Sequence, residues 1–104
     1  MSDEWVRVAS VTDLPTGEVR QVALGDIPVA IYNIGGKIFA TEDRCPHDRA
    51  FMSEGYLEDD HIECPMHQAL FHVPTGKVMR GPAKVDLRTF EATVRGDDIL
   101  LKPR

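Results

Sequence analysis

Turn signals interrupt this chain so often that no long helix fits between them. Pro15-Thr16-Gly17, Gly35-Gly36, Asp59-Asp60, Pro74-Thr75-Gly76 and Gly96-Asp97 are all residue groups that favour tight reversals. The runs between them are short and alternate in polarity or are β-branched, which is the pattern of strands. WVRVAS (5–10) and VRQVAL (19–24) alternate as half-buried strands do, while IPVAIYNI (27–34) is mostly apolar and suits a central strand. Gly35-Gly36 then reads as a two-residue hairpin turn into KIFATE (37–42). Beyond residue 44 the strands shorten. YLE (56–58) and HIE (61–63) flank one turn, and LFHV (70–73) and KVM (77–79) flank the next. Alternation resumes in VDLRTF (85–90), EATVR (91–95) and DILL (98–101), and only residues 50–54 have room for a helical turn. The expected class is all-β, an antiparallel sandwich or partial barrel in one domain, 1–104. Its base is formed by 1–42 and 85–104, with a small two-hairpin unit inserted at 43–84.

Composition narrows the function classes. The chain has 104 residues, 42% apolar and 28% charged, enough for one modest core and unlike a disordered segment. Its net charge of −5 is spread along the chain, whereas neutralising phosphates needs clustered Lys and Arg. An acidic surface suits docking onto a basic protein, although charge of this size also simply keeps a small domain soluble. MSDEWVRVAS carries acids where a signal peptide carries bases, and no apolar run approaches a membrane span. A soluble cytoplasmic monomer is expected, with neither nucleic acid nor membrane as partner. In a reducing compartment two cysteines serve as metal ligands or buried thiols rather than as a structural disulfide.

Both cysteines, and two of the four histidines, fall within CPHDRAFMSEGYLEDDHIECPMH, residues 45–67. Sixteen residues separate His47 from Cys64, and each Cys–His pair sits in a loop opening from a short strand. Two thiolates and two imidazoles suit zinc or iron–sulfur chemistry. Common zinc sites take two ligands of one type from one turn, whereas each turn here offers one of each. A [2Fe–2S] cluster accepts that mixture. Its sulfides fill half of each iron's coordination, so each loop can give its cysteine to one iron and its histidine to the other.

The CPH and CPMH motifs are similar to the C-x-H and C-x2-H signature of Rieske proteins. SEGYLEDDHIECPMHQALF resembles the same region in small Rieske ferredoxins of bacterial aromatic-ring dioxygenase systems, the biphenyl, naphthalene and toluene types. WVRVA, GKIFATEDRCPH and GPAKVDLRTFEATV extend the resemblance over nearly the whole chain. It implies the Rieske iron–sulfur fold and one [2Fe–2S] cluster. Cys45 and Cys64 would bind the inner iron, and His47 and His67 the outer one. Pro46 and Pro65 would stiffen the loop tips, and Gly81-Pro82 resembles the loop that covers the cluster in the family. Higher-potential relatives carry a second cysteine in each loop, where this chain has Ala50 and Met66. They also direct a serine and a tyrosine hydroxyl at the sulfurs, where this chain has Ala69 and Phe71. Hydrogen bonds to sulfur favour the more negative reduced state, so the negative end of the Rieske range, about −150 to +300 mV, is expected.

The resemblance therefore implies an electron carrier and not a catalyst. Its partners would be an FAD-containing, NADH-oxidising reductase and a terminal Rieske non-haem iron oxygenase, with the exposed edge of His47 or His67 as exit. An oxygenase subunit itself would need several hundred residues and a separate iron site. Two alternatives stand beside this reading: a Rieske-like small subunit of an assimilatory nitrite reductase, and a structural zinc module. Elsewhere, His61 is expected to be a solvent-facing strand residue. His72, where the family usually has an acid, is expected to be structural, with tuning through its proton as the alternative. Arg44, Arg49, Arg80 and Lys84 form either a solvated rim or local docking charge. Phe51, Phe71 and Met66 are packing residues.

Overall fold

Alternation and turn chemistry build ten strands among the described residues. A computed structural model of the chain describes residues 4–46, 49–66, 68–81 and 85–103. The strands are β1 (Val6–Ser10), β2 (Val19–Leu24), β3 (Ile27–Ile34), β4 (Lys37–Glu42), β5 (Tyr56–Glu58), β6 (His61–Glu63), β7 (Leu70–His72), β8 (Val78–Arg80), β9 (Thr89–Arg95) and β10 (Asp98–Pro103). Gly35 and Gly36 adopt φ of 63° and 93°, so Ile34 pairs with Lys37 across a two-residue turn that a side chain would strain. All the strand pairs are antiparallel. Six strands form one sheet in the order β1-β10-β9-β4-β3-β2, and its two edge strands approach each other so that it curls into a nearly closed barrel. The other four form a small sheet, β5-β6-β7-β8. No helix among the described residues is long and apolar enough to cross a membrane.

β3 joins the two parts because it is buried on both faces. Its side chains alternate, so Val29 and Ile31 enter the barrel core with Leu24, Phe90, Ile99 and Leu101. Ala30 and Tyr32 enter a second core with Met52, Ile62, Phe71 and both cysteines. This explains the near-continuous apolar character of IPVAIYNI. Tyr32 is fully buried with its hydroxyl 2.8 Å from Thr41 Oγ1. Burial raises its phenol well above the ordinary tyrosine value, with a smaller push from the Asp43 and Glu42 carboxylates against the Thr41 bond, so it stays protonated.

Three elements differ from expectation. VDLRTF is not a strand over 85–90; only its last two residues join EATVR, in the single strand β9. Asp86 and Leu87 bind the small-sheet unit instead: the Leu87 N–H donates to the Gly76 carbonyl (2.7 Å), and Asp86 Oδ1 accepts from the Val78 N–H (2.9 Å), while Arg88 bonds back to Glu42 of β4. Their alternation arises because Leu87 is buried against that unit, not because they pair in a sheet. After β1 the chain makes a 3-10 turn, Val11–Asp13, capped reciprocally by Ser10 and Asp13. The helical turn expected at 50–54 is a 3-10 turn, Met52–Glu54.

Candidate metal centre

The two cysteines open loops of the same design. In the first, the Cys45 N–H donates to the Ala50 carbonyl (2.9 Å), and Arg44 bridges to Phe51 just outside. In the second, the Cys64 N–H donates to the Ala69 carbonyl (2.8 Å), and Glu63 pairs with Leu70 just outside. CPHDRA and CPMHQA are thus six-residue loops of one closure, each beginning at a cysteine and ending at an alanine. The loops lie side by side, since Arg49 and Ala50 of one and Pro65 and Met66 of the other line a single cleft of about 280 Å³.

Cys45 is 2% exposed and Cys64 fully buried, in one core cluster with Ala69 and Phe71. No disulfide joins them. Ala69 and Phe71 are both fully buried in the same core cluster and carry no hydroxyl. His47 and His67, the expected imidazole ligands, lie outside the described residues, as do Pro82 of the expected covering loop and Lys84 of the rim. Among the described residues, no three His, Cys, Asp or Glu side chains gather as metal ligands.

Asp43, two residues before Cys45, is a functional candidate that the sequence did not announce. It is fully buried, and its Oδ1 accepts from the Ser53 N–H (2.7 Å). Its Oδ2 accepts from the Ser53 hydroxyl (2.8 Å) and from Gln21 Nε2 (2.6 Å). Its backbone bonds to Pro28 and Met52 as well. The departure and return of the first loop are therefore tied to each other and to β2 and β3. An acid ending an alternating strand is normally a solvated residue, and its partners are 22 and 10 positions away, so only folding brings them together.

His72 bonds on both sides of its ring. Its Nδ1 lies 2.8 Å from Thr75 Oγ1 and its Nε2 lies 3.1 Å from Asp60 Oδ2, which ties two hairpin turns together. His61, expected to have no role, is only half-exposed and joins the same network through Asp60 Oδ1 at 2.9 Å; its ring is 5.4 Å from that of His72. At the rim, Arg80 donates to the Gln68 carbonyl (3.3 Å) and lies 3.7 Å from Glu63, bracing the end of the second loop. Arg44 and Arg49 are exposed.

Two cysteine loops of one closure thus bring both thiols into one buried core cluster. Residues 4–91 match the Rieske [2Fe-2S] domain. The chain belongs to the Rieske [2Fe-2S] family. Over 95 residues this Rieske chain is 46% identical to the biphenyl 2,3-dioxygenase ferredoxin component of Rhodococcus jostii (strain RHA1), covering 91% of this chain and 89% of that one. It superposes with a TM-score of 0.89, at 37% identity, on a chain in the complex of reduced oxygenase and oxidised ferredoxin of carbazole 1,9a-dioxygenase, covering 97% and 94% of the two chains. A solved nitrite reductase (NADPH) small subunit superposes with a TM-score of 0.83 at 21% identity, covering 94% and 97%, a likeness of fold alone. The family's cofactor is one [2Fe–2S] cluster, and the described donors fit it: two buried thiols belong to one apolar core cluster, on loops already closed by backbone bonds.

Proposed function

We propose that this Rieske chain is a soluble, cytoplasmic one-electron carrier of low potential. It takes electrons from an NADH-oxidising, FAD-containing reductase and delivers them to the terminal oxygenase of an aromatic-ring dioxygenase system. Cys45 and Cys64 hold one iron and His47 and His67 the other. When bound, the cluster takes up and releases a single electron. The polypeptide itself fixes the ligand loops and keeps water from the thiolates. The observation that carries the reading is the pair of identically closed loops sharing one core with both cysteines, beside Ala69 and Phe71 in place of hydroxyl residues. The names of the similar ferredoxin components support the dioxygenase system, while the nitrite reductase alternative rests on fold likeness. Exchange of one electron needs close approach and quick release, which small interfaces serve best.

Protein prepared anaerobically is expected to hold two irons and two acid-labile sulfides. After dithionite reduction it should give a Rieske EPR signal with a midpoint potential below zero. A colourless, EPR-silent product overturns the assignment. Cys64→Ser and His67→Cys should each abolish the signal, and an unchanged spectrum in either refutes the ligand set. The loaded protein should restore NADH-dependent turnover to a mixture of flavoprotein reductase and ring-hydroxylating oxygenase. Intact cluster without such transfer would favour the nitrite reductase reading.

A further inference from the structure

Asp43 is the one fully buried charged side chain among the described residues. Its side-chain hydrogen-bond partners are Gln21 and Ser53, both neutral, so among the described residues no cation bonds to it. A buried carboxylate is costly unless it is well bonded, and a chain needing only an anchor could use neutral side chains. Its charge is also screened far less than one at the surface. Two peptide units separate it from Cys45, which places their Cα atoms within about 7 Å.

We propose that Asp43 is a positioning residue for the first ligand loop and that its uncompensated carboxylate holds the potential of the centre down. The inference rests on the ligand reading above. Adding an electron to the centre makes it more negative, and a nearby fixed anion opposes that step. At an effective dielectric of about 20, a unit charge at about 10 Å changes such an equilibrium by roughly tenfold or more.

Asp43→Asn separates charge from anchorage. The amide oxygen still accepts from the Ser53 N–H, the amide nitrogen can donate to the Ser53 hydroxyl, and the Gln21 amide can turn to accept. Gln21→Lys is a second route, because Gln21 is exposed on β2 and an ammonium there neutralises Asp43 without altering it. Ser53→Ala keeps the charge and removes one tie. Midpoint potentials are measured by EPR-monitored redox titration of the loaded proteins. Asp43→Asn and Gln21→Lys should both raise the reduced-to-oxidised ratio at a fixed ambient potential about tenfold, about 59 mV for one electron. Ser53→Ala should leave the potential near the wild-type value while lowering the melting temperature. If Asp43→Asn fails to load iron, Gln21→Lys, which leaves Asp43 and its Ser53 bonds in place, decides the electrostatic role. No shift in the variants that load, or an equal shift in Ser53→Ala, overturns the electrostatic role. Wild-type protein without a Rieske signal would instead refute the ligand reading on which the proposal depends.

Discussion

Ala69 and Phe71 bring no hydroxyl to the core cluster that holds both thiols, although both are fully buried in it with Cys45 and Cys64. A hydroxyl there could donate to sulfur, and the donation would strengthen as negative charge accumulates on reduction. Phe71→Tyr is therefore expected to raise the midpoint potential by about 60 mV for each 1.4 kcal/mol of preferential stabilisation. Redox titration checks this, and an unchanged or lowered potential would mean that the hydroxyl does not reach the centre. The substitution leaves Asp43 and its partners untouched, so its effect should add to that of Asp43→Asn. Both ends of this comparison were unequal in the sequence. The positions of Ala69 and Phe71 were legible from their place after CPMH, whereas nothing local marked Asp43 as buried.

The elements around the loops are short, and close approaches hold them in place. The 3-10 turn Met52–Glu54 ends at Gly55, whose N–H donates to the Met52 carbonyl at 2.9 Å. A Cβ at Gly55 would collide with the backbone carbonyl of Glu63, immediately before Cys64. Glycine is needed here for room and not for an unusual φ, because its φ of −88° is ordinary. Gly55→Ala should push the turn away from β6 and destabilise the loaded protein by about 1–3 kcal/mol. At about 4–8 °C per kcal/mol for a domain of this size, the loss should be plain in thermal melts. Bleaching of the visible cluster bands should move down with the CD transition; a variant melting like wild type would show that the contact yields easily. SEGYLE was visible as a family-like stretch, but the reason for its glycine is a contact between two elements.

Across the whole molecule, two cores share one strand. Val29 and Ile31 belong to the barrel, and Ala30 and Tyr32 to the core that holds the cysteines. Under the proposed ligand set, only the second bears on the cluster. Removing it with a reductant and chelator should raise hydrogen exchange in β5 to β8 and the two loops, while β9 and β10 stay protected. A uniform loss of protection would show that the cores unfold as one unit. This arrangement marks the division between what could be read and what could not. The sequence by itself determined the all-β class, most strand positions, the hairpin turns and the two loops that open at the cysteines, because turn chemistry and alternation act over a few neighbouring residues. Tertiary structure alone decided that Asp86 and Leu87 leave the strand pattern to bind the small sheet, that Asp60 links His61 to His72, and that Asp43 is buried against Gln21 and Ser53. Period-two alternation shows that a strand has two faces. What covers each face, and which buried polar atom finds which partner, depends on residues far apart in the chain.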